Sequence, residues 1–154
     1  YQESIDRLNE IKSSGRIFFT VGNMEYLKHG GRIGKVASVA GSLLGIKPII
    51  TLKEGEIFPS GIGRSRRKTV DKTIDLLLAY LAEEKADIAD YSICIGYGYD
   101  KEEAVEFRDR LVSRLKEKGY DIDTIPIFQI GATIGVHTGP YPLGIGVVKK
   151  SIRE

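Results

Sequence analysis

Pro48-Ile49-Ile50-Thr51-Leu52-Lys53-Glu54-Gly55-Glu56-Ile57-Phe58 is the stretch whose reading decides the fold class. Two runs suited to strands, 48–52 and 56–58, flank Lys53-Glu54-Gly55, a short polar connection with Gly in the turn. This pattern predicts an antiparallel hairpin, with Pro48 tolerated at the first position of its strand. Helical and strand signals mix elsewhere without strict βαβ alternation, so the hairpin argues against a purely parallel sheet. The expected class is α/β, with a mixed, partly antiparallel sheet flanked by helices.

Upstream of the hairpin, Tyr1, Ile5, Leu8 and Ile11 recur at helical spacing until Ser13-Ser14-Gly15. Residues 17–21 read as a strand and Gly22-Asn23 as a turn. Residues 24–29 make a brief helix, which Gly30-Gly31 ends through a left-handed exit. Val36, Val39, Ala40, Leu43 and Leu44 give a second helix its apolar face, while Gly34, Ala37, Ser38 and Gly41 leave it little bulk.

Downstream, Val70, Ile74, Leu77, Leu78 and Leu81 mark the clearest amphipathic helix, over 66–85. A strand follows at 91–97. Asp100 and Glu103 resemble a capping box opening a helix with Ala104, Phe107, Leu111 and Leu115 inward and Gly119 beyond its end. Residues 124–130 and 143–150 are the last strands. No linker, repeat or low-complexity tract interrupts the chain, so 1–154 reads as a single domain.

A length of 154 residues suffices to bury a working core. With 42% hydrophobic and 29% charged residues, the composition is that of a soluble globular protein. No apolar run approaches the roughly 20 residues of a membrane span, and no signal-peptide pattern appears. The cytoplasm is the default location. Cys94 is the sole cysteine, which excludes an internal disulfide and suggests a buried thiol. The net charge of +2 does not by itself imply nucleic acid. The chain begins with Tyr1, inside a helical pattern and without an initiator Met, as a fragment would.

Candidate chemistry concentrates in residues 131–140, Gly-Ala-Thr-Ile-Gly-Val-His-Thr-Gly-Pro, expected as a glycine-rich turn after a strand. Backbone N–H groups converging in such a turn can cradle an anion. His137 could bind one oxygen of a carboxylate and Thr138 or Thr133 the other. Alternatively, His137 is satisfied by local hydrogen bonds. Arg32, between glycines in Gly30-Gly31-Arg32-Ile33-Gly34, is free to reach inward, and its guanidinium matches a carboxylate or phosphate bidentately. His29 suits the C-terminal end of its helix.

Arg64, Arg66, Arg67 and Lys68 form the only dense basic run. A solvated loop is one reading. Since positive charge opposes the dipole at a helix start, a phosphate or acidic partner is the other. Gly96-Tyr97-Gly98-Tyr99-Asp100 lacks the third glycine of a dinucleotide turn and reads as a strand-to-helix connection. Walker A, zinc-ligand and G-x-S-x-G patterns are absent, and no cofactor is expected.

These residues also carry a family resemblance. Residues 25–33 (Glu-Tyr-Leu-Lys-His-Gly-Gly-Arg-Ile), 41–49 (Gly-Ser-Leu-Leu-Gly-Ile-Lys-Pro-Ile) and 131–140 resemble motifs of the DegV family of bacterial fatty-acid-binding proteins. Arg64 and Arg66 resemble its basic pair before a long helix. The resemblance runs over nearly the whole chain and corresponds to the family's C-terminal half. It implies a second, N-terminal domain and one long-chain fatty acid held in an apolar tunnel between the two. It further implies a carrier, without nucleotide chemistry of its own, that presents the carboxylate to a separate ATP-binding kinase subunit for conversion to an acyl phosphate.

By position, His137 corresponds to the family histidine near the acyl head group and Arg32 to the arginine of its G-G-R-I motif. Arg64 or Arg66 corresponds to a basic position at the phosphoryl-transfer edge. The helix over 34–44 would border the tunnel. Tyr141-Pro142 departs from the family, which commonly has Gly after the Gly-Pro pair. Two other functions compete: a phosphoryl-transfer enzyme clamping ATP with Arg64, Arg66 and Lys68, and a regulatory domain docking an acidic partner on its basic run.

Overall fold

The computed structural model describes residues 2–40 and 47–151. Helix α1 (Gln2–Ser14) leads into strand β1 (Arg16–Thr20), followed by short helices α2 (Glu25–His29) and α3 (Ala37–Ala40). The hairpin strands β2 (Lys47–Lys53) and β3 (Glu56–Gly63) precede the long helix α4 (Arg66–Glu83). Strand β4 (Tyr91–Tyr97), helix α5 (Lys101–Glu117), strand β5 (Ile127–Gln129), helix α6 (Ala132–Thr138) and strand β6 (Leu143–Lys149) complete the order.

The hairpin is present and longer than expected. Glu54 and Gly55 have φ of 51° and 81°, the paired positive values of a two-residue turn that matches strand twist. β3 continues through Pro59 because it lies at the sheet edge, where a missing N–H is tolerated. Ile49 pairs with Gly61 and Ile50 with Pro59, so Ser60 is the extra residue of a bulge.

All six strands form one sheet in the order β3-β2-β1-β6-β4-β5. Only β4 and β5 are parallel; the other four pairings are antiparallel. The fold is therefore α/β with a mixed, partly antiparallel sheet flanked by helices.

Side chains alternate between the faces of a strand, and here one set builds the main core. Phe18, Ile93, Ile95, Leu143, Ile145 and Val147 pack against Val70, Ile74, Leu77 and Leu81 of α4 and Phe107, Leu111 and Leu115 of α5. Asp100 caps α5 by accepting from the Glu103 N–H at 2.9 Å. The expected reciprocal half of the capping box is replaced, because the Glu103 carboxylate is paired with Arg66. Gly119 (φ 85°) ends α5, its neighbour Tyr120 donating back to the Leu115 carbonyl at 3.0 Å.

Three expectations need adjustment. The strand expected over 124–130 is confined to Ile127–Gln129, and Pro126 contributes only a carbonyl, which accepts from Ile95 N–H at 2.9 Å. Leu8 of α1 is 62% exposed rather than inward. The α1 helix is tied down at its C-terminal end, where Ser14 accepts from Tyr80 Oη at its carbonyl and from Lys149 N–H at its hydroxyl, and near its middle, where Arg7 donates to the Lys150 carbonyl at 2.9 Å. Finally, the helix expected to carry Val36 through Leu44 begins as a 3-10 turn (Gly34–Val36) and continues as α3. Val36 is buried. Residues 41–46 and the side chains of Val39 and Ala40 lie outside the described residues.

Tyr80 is buried beneath α1, edge-on to Tyr91 at 6.3 Å, and burial foremost pushes its phenol up to about 12. The unfolded chain releases this proton near pH 10. The native state therefore holds a proton that the unfolded state has lost, and stability declines as pH rises from about 10 to about 12. Denaturation midpoints followed across that window should fall, and Tyr80→Phe should remove much of the fall.

Candidate functional site

On the sheet face away from the main core, Ile50 is buried with Val21, Leu27 and Val36, but alternation leaves β6 and β4 almost without side chains there. Opposite the core-facing Leu143, Ile145 and Val147, β6 presents Gly144 and Gly146; opposite Ile93 and Ile95, β4 presents Cys94 and Gly96. Strand register aligns these positions. One row reads Phe19, Gly144, Gly96, Phe128 across four strands; the next reads Ile17, Gly146, Cys94. The result is a glycine floor between aromatic walls, and Phe128 stays 58% exposed.

Three adjoining cavities of about 950, 290 and 390 Å³ follow this floor. The first reaches from Asn9, Lys12 and Ser13 of α1 along Ile17, Cys94, Gly146 and Phe128. The second shares Ile17, Leu52, Cys94 and Gly146 with it. The third shares Phe19, Leu52, Ile134 and Thr138 with the second and ends at Arg32 and His137. An apolar trough thus runs to a polar end. Burial pushes the Cys94 thiol upward and outweighs a lowering contact from the Gly146 backbone.

At the polar end, Ala132–Thr138 form a helix where a turn over 131–140 is expected. Gly131 is the N-cap of α6, Gly135 lies within it, and Gly139 (φ 75°) ends it. Apolar Ile134 and Val136 therefore lie on a short helix, with Ile134 55% exposed beside the trough.

The Gly30-Gly31 exit of α2 forms as expected. Gly31 has φ 64°, Arg32 N–H reaches the Leu27 carbonyl at 2.8 Å, and Gly31 N–H reaches that of Lys28 at 3.1 Å. This exit carries Arg32 to the cavity that His137 also lines. Arg32 is exposed and reaches the Gly30 carbonyl at 3.5 Å, which leaves most of its guanidinium donors without a partner among the described residues.

His137 is half-buried, with Nδ1 buried and without a hydrogen-bond partner among the described residues. Thr138 is buried and donates to the Ile134 carbonyl at 3.2 Å. Thr133 is exposed and does not line the cavity. The structure thus brings Arg32, His137 and Thr138 together and leaves Thr133 aside.

Of the basic run, Arg64 is exposed between β3 and α4. Arg66 is instead committed to Glu103 through two bonds of 2.8 Å, a bidentate pair that ties the start of α4 to the start of α5. Ser65 caps α4, accepting from Lys68 N–H at 3.4 Å. No group of three or more His, Cys, Asp or Glu among the described residues could hold a metal ion, and no described helix is long and apolar enough to cross a membrane.

The glycine floor was not singled out from sequence, although its signal was present. Leu143-Gly144-Ile145-Gly146-Val147 alternates large apolar residues with glycine. Within a strand, that pattern makes one face core and the other a groove.

The sequence model described as "Uncharacterised protein, DegV family" matches residues 1–150. A DegV domain-containing protein of Clostridium perfringens is 34% identical over 154 residues, covering 97% of this chain and 50% of the relative. A stearic acid-binding protein of Eubacterium ventriosum has a solved structure with 42% identity and a TM-score of 0.87, covering 98% of this chain and 50% of that one. A DegV family protein of Thermus thermophilus, described for its fatty acid binding, shares 25% identity with a TM-score of 0.80 over 97% of this chain and 50% of that one. The chain spans about half the length of the curated relatives it matches.

The Arg66–Glu103 pair predicts a measurable coupling. Glu103→Gln should lower unfolding free energy by about 1 kcal/mol, because the pair is partly exposed and solvent screens it. Denaturant titration of the variant, alone and combined with Arg66→Gln, measures that interaction.

Proposed function

This chain belongs to the DegV family, and on that premise we propose that it forms one wall of a binding site for a long-chain fatty acid. The observation carrying this reading is the apolar, glycine-floored trough that ends at Arg32 and His137. The acyl tail would lie along Gly96, Gly144 and Gly146, and the carboxylate would meet Arg32 and His137. Each buried methylene contributes about 0.8 kcal/mol, whereas a hydrogen bond to a charged group adds about 1.5–3 kcal/mol. The tail would supply most of the affinity and the head-group contacts its orientation.

In this reading residues 1–154 are a single domain, the C-terminal half of a carrier whose N-terminal domain supplies the facing wall. The whole protein is a cytoplasmic carrier rather than an enzyme. It presents the carboxylate to a separate ATP-binding kinase subunit, which forms the acyl phosphate. Arg64, exposed at the start of α4, would lie at the edge that meets the kinase, while Arg66 would support that edge through Glu103.

Organic extraction of the intact protein followed by mass spectrometry should release a long-chain fatty acid. Absence of both co-purified lipid and binding on titration would sink the proposal. Because Cys94 lines the trough, palmitate should also slow its alkylation by a small thiol reagent severalfold. His137→Ala should weaken palmitate binding about tenfold with the fold intact. In a reconstituted reaction, Arg64→Glu should lower acyl phosphate formation at limiting kinase while leaving fatty acid affinity unchanged.

A further inference from the structure

His29-Gly30-Gly31-Arg32 contains two adjacent glycines with different roles. Gly31, at φ 64°, supplies the left-handed residue that ends α2. Gly30 has φ −75° and ψ −1°, a backbone conformation open to ordinary residues. Its lack of a side chain matters for a spatial reason. A Cβ at Gly30 would collide with Nδ1 of His137 and lie 3.1 Å from its Cε1. The imidazole of α6 therefore fills the space that a side chain at position 30 would take.

This packing bears on the ring proton. A neutral imidazole carries one N–H, on Nδ1 or on Nε2. Nδ1 is buried and has no acceptor among the described residues. A proton there would be an unpaired donor pressed against the Gly30 backbone. An unprotonated nitrogen in the same place leaves a lone pair beside an aliphatic C–H, the milder defect. Nε2 is the ring nitrogen left to face the cavity that His137 lines with Arg32.

We infer that Gly30 is a positioning residue: by ceding its Cβ space to Nδ1, it holds His137 as the Nε2–H tautomer, with the N–H presented beside Arg32. The second glycine of the pair places the guanidinium, and the first aims the imidazole. Use of that N–H for a carboxylate oxygen rests on the fatty-acid reading above; the tautomer and its dependence on Gly30 do not.

The test uses the intact protein with ring-15N-labelled histidine and two-bond 15N–1H correlation spectra, with His137 assigned by the signals lost in His137→Gln. The wild type should show an unprotonated Nδ1 and a protonated Nε2. Gly30→Ala should abolish that pattern and weaken palmitate binding about tenfold while leaving 1-hexadecanol binding unchanged, since the alcohol has no carboxylate. A protonated Nδ1 in the wild type, or an unchanged ring pattern in a folded Gly30→Ala variant, would overturn the inference. Should Gly30→Ala fail to fold, the wild-type tautomer decides. The Nε2–H pattern, altered in Gly30→Ala, with no palmitate affinity would support the positioning and overturn the fatty-acid reading.

Discussion

One-sided burial of the neighbouring strands β6 and β4 is the constraint on which the trough depends, whereas β1 and β2 also bury Ile50 with Val21, Leu27 and Val36 on the other face. In β6, Leu143, Ile145 and Val147 enter the core beneath α4 and α5. Gly144 and Gly146 consequently face the other way, because successive side chains of a strand must point to opposite faces. The same division in β4 sends Ile93 and Ile95 inward and leaves Cys94 and Gly96 outward. Large residues on one face and near-empty positions on the other stabilise the domain and create the trough together. The glycines are also held by packing: a Cβ on Gly144 would lie 2.7 Å from the Phe18 carbonyl and 2.9 Å from the Phe19 Cα.

Where the trough ends, a second close approach takes over. Helices α2 and α6 are short, and neither has the length to be stable alone. They meet through positions without side chains, His137 resting on Gly30 and Tyr26 on Gly139. This contact unites an arginine and a histidine separated by 105 residues in sequence, from 32 to 137. Charge at the starts of α4 and α5, which leave the same end of the strands, is handled differently. Arg66 pairs with Glu103 through Nε and Nη2 where two helix starts converge, while Arg64 of the same basic run stays in solvent nearest β3.

Hairpin, long helices and inward faces were legible because each depends on local chemistry. Gly55 marks the turn, Ser65 and Asp100 mark helix starts, and Phe107, Leu111 and Leu115 recur at helical spacing. Residues 131–140 were misread as a turn because three glycines weigh heavily in any local reading. In the fold only Gly139 among them has positive φ; Gly131 is an extended cap and Gly135 lies within a helix. The candidate head-group residues were visible as types, but Thr133 and Thr138 could not be told apart until the helix set one outward and the other beneath it.

By itself, the sequence determined the mixed α/β class, the main helices and the family, since these rest on periodicity, caps and contiguous motifs. Only the tertiary structure decided that Gly96, Gly144 and Gly146 share one floor, that Arg66 belongs to Glu103, and that Gly30 lies against His137. Those relations depend on strand register and helix packing between segments remote in the chain. No local pattern specifies which remote side chain will occupy the space that a glycine leaves.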